Sequence, residues 1–429
     1  MKTSYKWLAV CALGAAACLP SGAQRLTLTA DDCRQMALEH NASIKNAKND
    51  VDAAEQTRRA AFTNYFPTVS ATGMGFNADK GTARMVLGEG MALSMLKNGV
   101  VGSVTAVQPV FAGGQIVNGN KLAQVGVDVS QIQAEQAENN VELTAEQYFW
   151  QVVTLEEKLR TVEAVDSMLQ RLCSDVEAAV TAGVSTRNDL LQVQLKRNET
   201  ASTRLTLQNG INVSRLLLAQ YIGVENTDFD LASGVSPDVM PQAPQGLFVS
   251  PDEALPGTPE YRLLQKNVEA TKLQKKLTLG KQLPTVGIGA GYTYHNLMDN
   301  DRSFGMVFAS VSIPISGWWG GSHELKKQKL KVWNAENDLT DNSELLVIRM
   351  QKAWNDVTDA YKQVALARQA IEQSTENLRL YNDYYKAGTT TMTDLLNAQT
   401  LYQQSRDKYA ETCADYRIRT VEYLQATGR

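Results

Sequence analysis

The apolar positions between Val141 and Ala179 keep one stride. Val141, Ala145, Tyr148, Val152, Leu155, Leu159 and Val162 alternate steps of four and three, and Val165, Leu169, Leu172, Val176 and Ala179 resume after one shortened step. That stride is a coiled-coil stripe with a single stammer. No proline falls between Gln115 and Thr181, so the spacing predicts one helix of about 65 residues, roughly 100 Å long at 1.5 Å per residue. Asp31 to about Asn64 and Asn188 to about Ile222 also read as helices, about 50 Å each, and laid end to end they match the long one. Later in the chain Tyr261 to Lys281, Gly321 to Ala387 and Thr393 to Ala426 repeat the scheme: a short helix, a long helix and a return.

A second rhythm interrupts each helical series. Val286, Ile288, Ala290, Tyr292 and Tyr294 alternate with Gly287, Gly289, Gly291, Thr293 and His295, a period of two that predicts a strand. Phe304 to Ile313 alternates likewise, and the polar stretch Asn296 to Ser303 joins the two as a hairpin. Val69 to Asn77 and Val101 to Pro109 form a weaker first pair. Such strands are long enough to cross a hydrocarbon layer. Four of them cannot close a barrel, and open edges are not tolerated in lipid, so a spanning structure requires more than one copy of the chain. The competing reading is a pair of water-soluble hairpins capping a helical bundle.

The two halves are copies. Ala182-Gly183-Val184-Ser185-Thr186-Arg187-Asn188-Asp189-Leu190-Leu191 recurs 205 residues later as Ala387-Gly388-Thr389-Thr390-Thr391-Met392-Thr393-Asp394-Leu395-Leu396, and Gln194 to Gln399 and Pro109 to Pro314 keep the same offset. Phe66-Pro67-Thr68-Val69 matches Leu283-Pro284-Thr285-Val286 at an offset of 217, which places a 12-residue insertion in the loop of the first hairpin. The chain therefore divides into a first repeat over 24–223 with its hairpin at 67–109, a linker over 224–258, and a second repeat over 259–429 with its hairpin at 284–314. Pro237, Pro241, Pro244, Pro251 and Pro256 keep the linker irregular.

Composition narrows the setting. Apolar residues at 43% and charged residues at 21% suffice for a buried core and exclude a disordered chain. A formal charge of −4 offers no basic footprint for nucleic acid. Residues 1–23 carry Lys2 and Lys6, an apolar run from Trp7 to Leu19 and the small trio Ser21-Gly22-Ala23, the order of a secretory signal peptide cleaved before Gln24. A lipidated Cys18 is the rival, but the Leu expected three residues earlier is missing. The mature chain keeps Cys33, Cys173 and Cys413, widely spaced and odd in number, which gives no disulfide framework. His40, His295 and His323 lie far apart and supply no metal site, and no cofactor is expected. No nucleophile elbow or phosphate-cradling glycine loop is present.

With Phe66-Pro67-Thr68, Gln108-Pro109-Val110-Phe111, Gly113-Gly114, Leu283-Pro284-Thr285 and the duplicated Ala-Gly segments in this order, the chain resembles the TolC family of outer-membrane efflux and secretion channels over nearly its whole mature length. The resemblance implies long antiparallel coiled-coil helices forming a periplasmic helical barrel, and a homotrimer in which each chain lends four strands to a 12-stranded β-barrel in the outer membrane. It also implies two partners, a periplasmic adaptor (membrane fusion) protein and an inner-membrane pump. The adaptor-facing tip falls on Gly183, Val184, Ser185, Gly388, Thr389 and Thr390. Asp394 matches the family's entrance ring, whose second acidic position is Asn397 here. Asp189 and Tyr385 match positions whose links hold the entrance shut in the best-known member, and Thr390 replaces the Arg of that network. Helix-start caps explain Asp189 and Asp394 equally well.

The function expected is a passive, non-enzymatic exit duct for a tripartite efflux or type I secretion system. The alternative is a structural or adhesive coiled-coil protein of the envelope. Lys326, Lys327, Lys329 and Lys331 read as a solvated helix face, and Trp318 and Trp319 as interfacial or packing rings.

Overall fold

The computed structural model describes residues 26–79, 83–88, 91–95, 98–232, 234, 240–297, 300–315 and 317–429. The expected signal peptide with Cys18, and Pro237 of the linker, lie outside the described residues. In chain order the elements are β1 (Leu26–Leu28), α1 (Ala30–His40), α2 (Ala42–Thr63), β2 (Thr68–Asn77), β3 (Ala83–Gly88), β4 (Met91–Met95), β5 (Asn98–Ala112), α3 (Gln115–Thr181), α4 (Arg187–Ile222), β6 (Phe229–Leu231), α5 (Pro251–Ala254), α6 (Pro259–Gly280), β7 (Thr285–Leu297), β8 (Asn300–Ser312), α7 (Gly317–Lys386) and α8 (Met392–Ala426).

The heptad stripe forms an unbroken 67-residue helix, and Val141, Ala145, Val152, Val162, Val165, Leu169 and Val176 are all buried. The region read as one helix from Asp31 is instead two. Asn41 takes an extended backbone, φ −61° and ψ 136°, and its side-chain oxygen accepts the Ser43 amide at 2.8 Å. An Asx residue that caps a new helix outcompetes continuation of the old one.

The chain forms two compact units. One comprises the described parts of Met1–Glu39, Thr144–Met240 and Ala367–Ala414. In it β1 pairs in parallel with β6, Leu28 opposite Leu231, and both helix reversals belong to it.

The other unit, His40–Leu143, Pro241–Leu366 and Asp415–Arg429, contains a four-stranded antiparallel sheet in the order β2-β5-β7-β8. The two predicted hairpins thus share one sheet, joined through β5 and β7. The 12-residue insertion is not an irregular loop: β3 and β4 pair with each other as an extra hairpin between β2 and β5. β5 runs past Pro109, where the pairing with β7 shifts register between Pro109 and Phe111, because proline brings no N–H to the ladder. In the same unit the linker straps onto α8. Tyr416 Oη donates to the Gln242 carbonyl at 2.6 Å, the Val249 amide donates to Tyr423 Oη at 3.0 Å, and Phe248 and Tyr423 both pack on Trp354.

Candidate functional site

Register sorts the sheet into two unlike faces, because residues directly opposite in an antiparallel pair project to the same side. Val69, Ala71 and Gly73 of β2 oppose Ala106, Val104 and Gly102 of β5. These in turn oppose Ala290, Tyr292 and Tyr294 of β7, which face Val307, Gly305 and Ser303 of β8. Val286, Ile288, Ala309 and Val311 extend this apolar surface, and Val307 is 86% exposed within the chain. Such a surface would aggregate in water and suits hydrocarbon. At the hairpin end Tyr292 Oη donates to Ser303 Oγ at 2.8 Å and Tyr294 Oη to Asp301 at 3.1 Å. The rings thus end in a polar edge.

The opposite face carries hydroxyls. Ser70 and Thr105 lie 3.0 Å apart, Thr72 and Ser103 2.8 Å, each pair sharing a hydrogen bond. On the same side the bulky residues of β8 cover the glycines of β7: Phe308 opposes Gly289 and Met306 opposes Gly291. The alternation along each strand separates bulky from tiny positions but does not show this hydroxyl ladder, which depends on the pairing of β2 with β5. Its signal was the Ser/Thr alternation at Thr68, Ser70 and Thr72.

The two predicted tips share one local construction. Gly183 and Gly388 take φ +75° and +71°, and a Cβ at either would meet no atom within 4 Å, so backbone conformation and not crowding calls for glycine. At the first tip the Val184 amide donates to the Ala179 carbonyl at 2.9 Å and Gly183 to Val180 at 3.0 Å. At the second, Thr389 donates to Tyr384 at 2.9 Å and Gly388 to Tyr385 at 3.0 Å. Both are Schellman closures. Val184 is 81% exposed.

Each return helix then opens with a capping box. Thr186 Oγ1 accepts the Asp189 amide at 3.1 Å, while Asp189 Oδ2 accepts the Thr186 amide at 3.2 Å and the Ser185 hydroxyl at 3.1 Å. Thr391 and Asp394 repeat this at 3.2 and 3.3 Å, with Thr390 Oγ1 donating to Asp394 Oδ2 at 3.1 Å. The Thr391 hydroxyl, then the Thr391 amide and the Thr390 hydroxyl, hold the Asp394 carboxyl below its ordinary value. Thr390 therefore serves the neighbouring carboxylate. Asn397 lies exposed one turn further along α8. Tyr385 packs with Leu172, Val180 and Leu190 around a buried cluster of Val165, Leu169, Cys173, Val176, Val193, Met392 and Leu395. The cluster joins both reversals, and Thr393 Oγ1 contacts Gln192 Oε1 at 3.2 Å.

Among the described residues no helix is long and apolar enough to cross a membrane. The sequence profile of outer membrane efflux proteins matches residues 33–224 and 250–429. The chain belongs to that family. As an outer membrane efflux protein it is a channel of the outer membrane and not an enzyme, as the TolC-like markers led us to expect. It is 23% identical over 416 residues to protein CyaE of Bordetella pertussis, covering 92% of this chain and 82% of that protein. Among solved structures, VceC, an outer membrane protein of Vibrio cholerae, superposes with a TM-score of 0.77 at 14% identity, over 93% of this chain and 96% of that one. The Campylobacter jejuni outer membrane channel CmeC gives 0.76 at 13% identity, over 93% and 85%. The fold is thus that of known outer membrane channels.

Proposed function

We propose that three copies of this efflux protein close a 12-stranded barrel in the outer membrane, continue as a helical tunnel in the periplasm, and act as the exit duct of a tripartite assembly with a periplasmic adaptor and an inner-membrane pump. One observation carries this reading: the sheet has an apolar face and a hydroxylated face, yet β2 and β8 end it with unpaired edges, which lipid does not tolerate. In this reading residues 1–23 direct export, and 24–223 and 259–429 are structural repeats about the linker 224–258. The tips formed by Gly183, Val184, Ser185, Gly388, Thr389 and Thr390 meet the adaptor. Asp189, Asp394 and Asn397 line the entrance with Tyr385 packed behind them as part of the gate, and threefold repetition brings the Asp394 carboxylates together and favours cations.

Protein extracted from membranes is expected to migrate as a heat-sensitive trimer and to conduct in planar bilayers. A non-conducting monomer overturns the proposal. Asp394→Asn is expected to change the cation response of the conductance, and an unchanged response removes the entrance assignment. Crosslinking from Val184 or Thr389 should capture an adaptor together with its pump. Co-purification of a peptidase-containing transporter would assign polypeptide export.

A further inference from the structure

The four junctions between the sheet and its helices differ in what they expose. At the β2 edge Phe62 meets Tyr65 at a tilt and Phe66 edge-on, with centroids 5.5 and 5.7 Å apart, and the three rings remain 53%, 40% and 56% exposed. At the β8 edge Ile315, Trp318 and Trp319 follow the strand, with Trp319 81% exposed. The Trp318 indole N–H donates to the Gln282 carbonyl at 2.9 Å, which fixes this corner against the end of α6. The two interior junctions, 108–118 and 278–288, carry a single ring, Phe111. They close by backbone contact instead: Gly113, at φ +59°, leaves no room for a Cβ against the Gly280 carbonyl, and Gln115 Nε2 donates to that carbonyl at 3.3 Å.

β2 starts and β8 finishes at the same end of the antiparallel sheet. A β8 of one copy zipped onto the β2 of the next therefore continues the antiparallel order and brings the exposed rings of both edges to one place. We infer that Phe62, Tyr65 and Phe66 of one copy pack against Ile315, Trp318 and Trp319 of the next, an aromatic seam that clamps the barrel at its helix end wherever two copies join. The inference rests on the trimeric reading above and adds the residues that hold it. A belt facing lipid would distribute its rings around the whole circumference. Here five of six flank the open edges, where two apolar clusters gain most from covering each other. Among the described residues no ring contact joins the two clusters within one chain.

The test is a Phe66→Cys/Trp319→Cys double variant treated in membranes with a short bismaleimide, Cys33, Cys173 and Cys413, the cysteines among the described residues, being buried. Covalent dimers and trimers are expected from the double variant and only monomer from either single variant. Trp319→Ala should lower the temperature at which the oligomer falls to monomer on a gel. Failure to crosslink, with the unmodified protein still a heat-sensitive conducting trimer, overturns the seam and leaves the channel standing. Strong quenching of Trp319 fluorescence by brominated lipid assigns the ring to lipid and likewise overturns it. If the unmodified protein is itself a non-conducting monomer, the trimer falls and the seam with it.

Discussion

Phe308 lies directly across the β7–β8 ladder from Gly289, and its ring occupies the space that a side chain at 289 would need. Gly289→Ala is therefore expected to push the ring off its seat at about 1–3 kcal/mol, the usual cost of overpacking. The oligomer of the variant should dissociate at a lower temperature on a gel. Phe308→Ala introduced into Gly289→Ala should recover much of the loss, which a defect unrelated to that contact would not allow.

Gly388 offers a different contrast, since it has a left-handed φ of +71° but open space around its missing Cβ. Gly388→Ala is expected to cost about 1–2 kcal/mol through backbone strain alone, and Gly388→Asn clearly less, because Asn tolerates this region. Hydrogen exchange at the end of α7 and the start of α8 reads both. Equal losses for Ala and Asn would contradict the conformational account.

Asp394 ties pH to the second tip. Its carboxyl titrates below the ordinary 3.8 in the folded chain, so the stabilisation from the capping box is present in full above that value and is lost as pH falls through the lower folded one. The amides of Asp394 and Leu395, which donate to Thr391, should lose exchange protection only in that acidic window. In Thr391→Ala, which removes the largest cause of the depression, the loss should begin at higher pH. Profiles that coincide would show that the box does not set the titration.

Asp407 behaves oppositely. Burial pushes its carboxyl up to about 6, with Lys158, a hydrogen bond from Gln403 and Arg406 opposing and Glu411 reinforcing the shift, and Oδ1 has no hydrogen-bond partner. A folded value above the unfolded one means that the contribution to stability is present in full below the ordinary 3.8 and is lost as pH rises from there through about 6. Asp407→Asn is expected to raise thermal stability at pH 7.5 relative to the native chain and to make little difference at pH 4. A gain of equal size at both values would refute the burial account.

Much of the fold was legible because long regular elements leave long regular traces. The stripe from Val141 to Ala179 and the alternation from Val286 to Tyr294 each extend over enough residues for periodicity to dominate local noise. The misreadings lie where one residue decides. Asn41 ends a helix that continuous polarity suggested would go on, although an Asn two residues before Ser43 carried the signal. β3 and β4 sit in a segment visible in sequence only as excess length. The shared role of Thr186 with Asp189 and of Thr391 with Asp394 was half visible: the residue types suited helix starts, but the sharing of one carboxylate oxygen among three donors is a matter of geometry. Tyr385 packing beneath the tip depends on neighbours far along the chain, such as Leu172 and Leu190, which no local pattern could name.

The joint between β5 and β7 lies inside a single polypeptide. In a ring of three, half of the hairpin-to-hairpin borders are then secured at synthesis, whatever the abundance of the protein, and the other half await encounter between molecules. Dilution can loosen only the second kind. Selection can alter residues at one kind of border without disturbing the other, a freedom unavailable to a ring of six identical single-hairpin subunits.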